Sequence, residues 1–293
     1  MYTIKLIVTG MLEKKALHKS LKRFFPKQRN GQNVEWVTPR RLNCATSFRL
    51  RPLKTNKKIS NPMKKLALAM FDEVFHSKAD LVVVIDDVEL HNLDQEMVIA
   101  EHFREAIESA FRKKGYNQEQ RYRKILREKC SFHLLKPMIE SYFFGYLTSL
   151  YEAGVSASIK PRLVHDTDVE LFETNDSDPN WVNECRDENT KKVSNNINWW
   201  HYEKHPKHYL EHLIERSDPG MIYNETEHGK RALEKIAWNN VPKIKSDTPF
   251  IRSLFEDIAD WFGLQNPIGN GLTNIYVYPD KSLNSKDLIL RNM

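Results

Sequence analysis

The chain has 293 residues, of which 40% are hydrophobic and 29% charged, a composition typical of globular rather than disordered or fibrous proteins. No run of about 18 apolar residues occurs, which argues against a membrane-spanning helix, and the first residues lack the charged start and cleavage site of a signal peptide. The three cysteines, Cys44, Cys130 and Cys185, are widely separated and odd in number. They argue against a disulfide framework and a cysteine-based zinc site, and they favour a reducing, cytoplasmic location.

Positive and negative charges are segregated along the chain, whose net charge is +6. Sixteen Lys or Arg residues and a single acid, Glu35, occur within Lys14–Lys65, and a second basic stretch covers Lys113–Lys129. By contrast, Asp166–Glu188 contains nine acids and one arginine. A single basic helix is usually a solvated surface, but a basic window of about fifty residues favours contacts with the phosphates of nucleic acid. The candidates for these contacts are Lys14, Lys15, Arg40, Arg41, Arg49, Arg51 and Lys136.

Hydrophobic spacing predicts alternating strands and helices in the first half of the chain. Strands are predicted at Thr3–Thr9, Leu81–Ile85 and Ser131–Leu135, with a weaker candidate at Arg40–Pro52. Helices are predicted at Glu13–Phe25, Pro62–Phe75, Gln95–Lys113 and Pro137–Ser149. This alternation over residues 1–152 predicts an α/β domain in which a parallel sheet is flanked by helices.

The second half of the chain reads differently. Residues 153–200 are acidic and aperiodic, which predicts a loop or insertion. Residues 201–293 return to helical spacing, with Thr248 before Pro249 as a helix start, and predict a helical part packed on the α/β core.

Two motifs in the second half have both a structural and a functional explanation. The histidines of "HYEKHPKHYLEH", residues 201–212, have spacing that could bind a transition metal. Pro206 interrupts this pattern and no cysteine accompanies it, so a helix start is the favoured interpretation. The tryptophans Trp181, Trp199 and Trp200 could stack on bases, but such residues more often hold a long loop against the core.

Carboxylates follow three of the predicted strands. Asp86, Asp87 and Glu89 end the stretch "LVVVIDDVEL", Glu13 follows "VTGML", and Glu140 follows "SFHLLKP". Because the carboxyl ends of parallel strands meet at one edge of a sheet, we expect these acids to lie close together. Carboxylate oxygens are the ligands that Mg²⁺ or Mn²⁺ prefers. The sequence therefore predicts a metal site at this edge.

Each acid also has a simpler explanation. Glu13 and Glu140 are favoured in the first turn of a helix by the helix dipole, and Asp87 could cap a turn. Two adjacent aspartates followed by Glu89 are harder to explain in this way. The pattern leaves open whether Asp86 with Val88, or Asp87 with Glu89, faces the metal.

The same motifs resemble the Toprim family. "VTGMLEKKALHKSL" resembles its opening strand, glycine turn and glutamate; "LVVVIDDVEL" is similar to its strand ending in a DxD cluster; "HLLKPMIESYFFGYL" is similar to its third acidic motif. The helical segments "HPKHYLEHLI" and "TPFIRSLFEDIADWF" resemble the tail of Toprim-related proteins of bacterial defence islands, often encoded beside an ATPase. The resemblance covers about residues 2–262. The sequence departs from the pattern at Thr9 and Met11, and its two aspartates are adjacent.

The resemblance implies a Mg²⁺-dependent nuclease that cleaves DNA or RNA as the effector of an anti-phage system, and it is compatible with an ABC-type ATPase partner and with an oligomer. In that frame Glu13 is a general acid/base or metal ligand. Asp86, Asp87 and Glu89 hold one or two Mg²⁺ ions, and Glu140 completes the second metal site or orients a water. The catalytic candidates are thus Glu13, Asp87 and Glu140.

Two other functions are compatible with the sequence. In the first, the fold is a non-catalytic subunit that binds nucleic acid or a partner through its basic windows, and the acidic cluster has lost its activity. In the second, the protein is a nucleotide-handling transferase. The second alternative ranks last because the chain contains neither GxGxxG nor GxxxxGK[ST].

Overall fold

The computed structural model describes residues 1–54, 58–112, 116–272 and 287–293. The strands in these ranges are β1 (Tyr2–Val8), β2 (Gln28–Arg29), β3 (Gln32–Trp36), β4 (Arg40–Arg41), β5 (Leu81–Asp87) and β6 (Cys130–Leu135). They form one sheet in the order β2-β3-β1-β5-β6, with β4 also paired to β1. All pairs are parallel except β2 with β3. The α/β prediction is confirmed, with a mixed, mostly parallel sheet.

Helices cover both faces of this sheet. The α-helices of the described ranges are α1 (His18–Leu21), α2 (Asn61–Phe75), α3 (Glu96–Phe111), α4 (Tyr116–Lys129), α5 (Leu147–Ala153), α6 (Pro179–Ser194), α7 (Pro206–Ser217), α8 (Lys230–Lys235) and α9 (Pro249–Phe262). π-Helical turns occur at Glu13–Leu17 and Glu225–Gly229, and a 3-10 helix at Ile139–Gly145. Within these ranges, none of the helices has the length and apolarity that crossing a bilayer demands.

Strand β5 lies at the centre of the fold and is buried along its whole length. Because side chains alternate across a strand, Val82 and Val84 pack with α2 and α3 on one face. Val83 and Ile85 pack on the other face with the segment Glu13–Leu21 and with α5, α7, α8 and α9. A strand covered on both faces needs apolar residues at successive positions, which explains the run "LVVVI".

Several sequence-based boundaries differ from the structure. The weak strand at Arg40–Pro52 is reduced to Arg40–Arg41. The hairpin of β2 and β3 was missed, although its turn residues Asn30 and Gly31 have φ angles of 48° and 73° and Asn-Gly is a strong hairpin signal. The helix predicted at Gln95–Lys113 is observed as Glu96–Phe111, and Lys113 lies outside the described residues.

The prediction of a loop over residues 153–200 was wrong for Pro179–Ser194, which form α6. The side chain of Asp178 accepts a hydrogen bond from the Asn180 backbone N–H, and Pro179 occupies the first helical position. This Asp-Pro start is a helix signal, but it was overlooked because few apolar residues follow it. Of the residues in α6, Trp181 is buried.

Helix α9 begins where Thr248–Pro249 predicted, although the Thr248 side chain does not cap it. The buried carboxylate of Glu170 does so instead. It accepts hydrogen bonds from the backbone N–H groups of Phe250 at 2.9 Å and Ile251 at 2.8 Å, and from the Tyr142 hydroxyl at 2.9 Å. An anion at the start of a helix satisfies its free N–H groups and its dipole.

Residues 287–293 lie along the outer edge of β6. The Asn292 side chain accepts a hydrogen bond from the Phe132 N–H at 3.0 Å and donates one to the Phe132 carbonyl at 2.7 Å. The backbone N–H of Arg291 donates to the carbonyl of Cys130 at 2.8 Å. These contacts satisfy backbone groups that an edge strand otherwise leaves free.

Candidate functional site

Acidic side chains from both halves of the chain line one cavity of about 290 Å³. Four of the predicted acids lie there, namely Glu13, Asp87, Glu89 and Glu140, and they are joined by Glu225. The remaining lining residues are Thr9, Gly10, Leu12, Cys44, Met138, Ile139, His205, Lys207 and His208. The cavity lies just beyond the carboxyl ends of β1, β5 and β6, as expected for a parallel sheet.

The end of β5 separates the two adjacent aspartates. Asp87 lines the cavity together with Glu89, two residues further on. The Asp87 Oδ1 atom is buried and has no hydrogen-bond partner among the described residues. An unpartnered carboxylate oxygen inside a protein is costly, and a bound cation would relieve that cost.

Asp86 does not line this cavity. Its carboxylate accepts hydrogen bonds from the Thr9 hydroxyl at 2.6 Å, the Ala45 N–H at 3.2 Å and the Asp87 N–H at 3.1 Å. Burial raises the pKa of Asp86 to about 6 against the opposing effect of these bonds. The structure therefore makes Asp86 a tie between β5 and the segments after β1 and β4, and of the two alternating pairs it places Asp87 and Glu89 in the cavity.

Glu89 has an unusual backbone conformation, with φ 62° and ψ 156°. This region is almost restricted to glycine and costs a residue with a side chain about 1–3 kcal/mol. The Glu89 N–H donates to the Pro137 carbonyl at 2.8 Å and its carbonyl accepts from the Asn92 N–H at 3.0 Å. The strained backbone, held by these bonds, directs the Glu89 carboxylate into the cavity.

Glu13 lies at the start of the π-helical turn after β1, and only 3% of it is exposed. Its carboxylate rests against Gly10: a Cβ atom added there would lie 1.8 Å from Glu13 Oε2. A glycine at position 10 is therefore a steric requirement for the observed position of Glu13. Glu140, which is 4% exposed, belongs to the 3-10 helix after β6.

Burial and mutual repulsion disfavour the charged forms of these acids. Burial raises the pKa of Glu13 to about 7, and the negative charges of Glu225 and Asp86 contribute further. Burial also raises the pKa of Glu140 to about 8, with the charges of Glu13 and Glu225 adding to the effect.

The same causes act on the pair at the end of β5. Burial and then the charges of Glu13, Glu89 and Glu140 raise the pKa of Asp87 well above its usual range. For Glu89, burial and the charge of Asp86 raise the pKa to about 7, although the charge of Lys207 opposes this. Without a cation, the cavity thus favours the neutral, protonated forms of these acids.

The second half of the chain supplies one wall of the cavity. Lys207 is the cation there, and its Nζ lies 2.5 Å from Glu225 Oε1. Burial acts to lower the pKa of Lys207, but the hydrogen bond and charge of Glu225 outweigh it and the pKa is raised. Neither residue was expected at the site, because no spacing or periodicity connects "HPKHY" and "ETEHG" with the acidic motifs.

The histidines behave as a helix start and as lining residues at once. His205 precedes α7 and its Nδ1 accepts a hydrogen bond from the His208 N–H at 3.4 Å, and both side chains also line the cavity. Burial, followed by the charges of His208 and Lys207, lowers the pKa of His205 to about 2. His205 is therefore a neutral imidazole over the physiological pH range.

The basic residues proposed for phosphate contacts lie outside the cavity lining. Three of them form ion pairs: Arg40 with Asp72 and Glu73, Arg49 with Asp94, and Lys136 with Glu96. Lys15, Arg41 and Arg51 are exposed and Lys14 is half-buried. Their contact with nucleic acid stays a prediction.

A metal site is not preassembled. Within the described ranges, no three side chains of His, Cys, Asp or Glu are grouped so that together they could hold an ion. The buried Asp87 Oδ1 atom nevertheless has no hydrogen-bond partner in the described residues. The donor set consists mainly of carboxylate oxygens and so fits a hard divalent cation.

Comparison with known proteins gives no match: no family model, no curated protein and no solved structure matches the chain. The Toprim resemblance therefore stays a prediction that rests on three short motifs, the helical segments of the second half and their order.

Proposed function

We propose that the protein is a Mg²⁺- or Mn²⁺-dependent nuclease that hydrolyses phosphodiester bonds of DNA or RNA. The observation that supports this most strongly is the convergence of Glu13, Asp87, Glu89 and Glu140, which are up to 127 positions apart in the sequence, on one cavity. Buried carboxylates are tolerated at such density where a cation compensates them.

In this proposal Asp87 and Glu89 hold the metal, and Glu13 and Glu140 complete the site from the segments that follow the neighbouring strands β1 and β6. The metal, when bound, neutralises the charge that develops on the phosphate. Glu13, which lines the cavity together with Asp87, is the candidate to accept a proton from an attacking water. Lys207 is the residue of the cavity wall that would contact the phosphate, in exchange for its ion pair with Glu225.

The resemblance to Toprim-related proteins encoded beside ATPases supports an extension of the proposal. In this extension the protein is the effector of an anti-phage system and acts with an ATPase subunit of the ABC type.

The test is cleavage of labelled single- and double-stranded oligonucleotides, of both DNA and RNA, in Mg²⁺, in Mn²⁺ and in EDTA. We expect metal-dependent cleavage that falls by at least about 100-fold in Asp87→Asn. Glu35→Gln is the matched control, since Glu35 is an exposed carboxylate on β3 and should not affect the rate. Intact substrates under every condition, with nucleic-acid binding that survives Asp87→Asn, would instead identify a non-catalytic binding subunit.

A further inference from the structure

Two tryptophans next to the acidic cavity each have a positively charged side chain above the ring. They follow α6 in the turn that leads to α7. The guanidinium carbon of Arg49 lies 4.7 Å from the centre of the Trp199 ring, and Lys192 Nζ lies 4.1 Å from the centre of the Trp200 ring. We call Arg49, His91, Lys192, Trp199 and Trp200 the aromatic platform.

The platform is assembled from separate parts of the chain. Arg49 comes from the loop after β4, and it donates to the His91 carbonyl at 3.0 Å and forms an ion pair with Asp94. The His91 ring, just after β5, lies 5.1 Å from the Trp200 ring between centroids. Trp199 is 37% exposed, so part of its surface is open to a ligand.

The platform adjoins the cavity on two sides. The centroid of the Trp200 ring is 6.5 Å from that of His205, which lines the cavity. His91 follows two residues after Glu89, which also lines it. A strand whose phosphate lies over the acidic cavity would therefore meet the platform at the edge of the cavity.

From this arrangement we infer that the substrate is single-stranded nucleic acid, or a single-stranded part of one, and that Trp199 stacks on an unpaired base. The inference rests on the proposed function and specifies its substrate class. Single strands expose the faces of their bases, whereas a duplex hides them, and proteins that bind single strands combine aromatic rings with cations. Arg49 and Lys192 supply the cations here.

The competing explanation is that the tryptophans only hold the turn 195–200 on the core. Trp200 fits that role in part, because it is half-buried between Lys192, His91 and His205. Trp199 does not, since it is exposed and its described ring contact is with the Arg49 guanidinium, itself partly accessible. The decisive substitution is therefore made at Trp199.

The experiment measures binding apart from cleavage. Fluorescein-labelled dT20, rU20 and a 20-base-pair duplex are titrated with the full chain in Ca²⁺, and fluorescence anisotropy is recorded. The variants are Trp199→Ala, Trp199→Phe and, as a matched control, Tyr151→Ala, because Tyr151 is 42% exposed on α5. Thermal melting of each variant checks that it is folded.

We expect the single strands to bind more tightly than the duplex, and Trp199→Ala to weaken single-strand binding by about 5- to 100-fold. Trp199→Phe should restore most of that affinity, and Tyr151→Ala should bind like the parent. Equal or tighter binding of the duplex, single-strand affinity within about twofold in Trp199→Ala, or no binding to any probe would each overturn the inference. Trp199-dependent binding without cleavage in Mg²⁺ or Mn²⁺ would support the inference and refute the nuclease proposal. Metal-dependent cleavage that Trp199→Ala leaves unchanged would support the nuclease proposal and refute the inference.

Discussion

Replacing Glu140 by glutamine tests whether burial and charge repulsion at Glu140 destabilise the folded protein. In the folded protein the pKa of Glu140 is about 8, against an ordinary value of 4.5. Because the folded-state pKa is the higher one, the stability that this carboxyl contributes is complete below about pH 4.5 and is lost as the pH rises to about 8. Glutamine has a similar shape but no proton to lose.

The magnitude follows from the shift in pKa. One pKa unit corresponds to about 1.4 kcal/mol, so a rise from 4.5 to about 8 amounts to about 4 kcal/mol lost by about pH 7.5, and relaxation of the site reduces this. We therefore expect Glu140→Gln to be about 2–4 kcal/mol more stable than the parent at about pH 7.5 in EDTA. Near pH 5 the two proteins should be nearly equal.

Metal should reduce this difference in stability. A ligand at about 100 times its dissociation constant stabilises the folded state by about 2.7 kcal/mol, so Mg²⁺ should stabilise the parent more than Glu140→Gln.

Urea unfolding at both pH values, with EDTA and with Mg²⁺, measures these differences, and the exposed Glu35→Gln serves as control. A parent whose stability does not change with pH or Mg²⁺, together with a variant destabilised equally at both pH values, would refute the reasoning.

Three further predictions concern single positions. Gly10→Ala should lower metal-dependent cleavage by about 10-fold or more with a small change in stability, because the added Cβ meets the Glu13 carboxylate; unchanged kinetics would contradict this. Glu89→Gly should raise the free energy of unfolding by about 1 kcal/mol in EDTA while abolishing cleavage, since it relieves the strained φ of 62°. Lys78→Gly, exposed and with φ 56°, should gain similar stability and keep full activity. Asn292→Ala should cost about 1–3 kcal/mol in urea unfolding, because the Phe132 N–H and carbonyl lose their partner; a cost below about 0.5 kcal/mol would mean that this edge is not protected by Asn292.

The acids at the strand ends could be found from the sequence because their grouping follows from topology alone. An apolar run such as "LVVVI" is long enough to indicate a strand buried on both faces, and parallel strands end at one edge. Which aspartate faces the cavity could not be found, because both faces of β5 are buried. Alternation places Asp86 and Asp87 on opposite faces but does not indicate which face carries the cavity.

The contributions of the second half were out of reach for a different reason. Lys207 and Glu225 reach the cavity through packing of α7 and the π-helical turn before α8. Neither segment has a sequence motif that predicts contact with the cavity. The ion pairs of Arg40 and Lys136 could not be predicted either, because tertiary packing forms them. Counts of positive charge along the chain do not show which cations already have an acidic neighbour in the fold.

The cation opposite the carboxylates comes from a segment that follows the sheet by some seventy residues. Mutations that alter the number of acids near Glu13 would therefore tend to be accompanied by compensating changes near Lys207 and Glu225. In a collection of related chains, these distant stretches should vary in concert, and a chimera that joins the front of one homologue to the rear of another should inherit a mismatched charge balance.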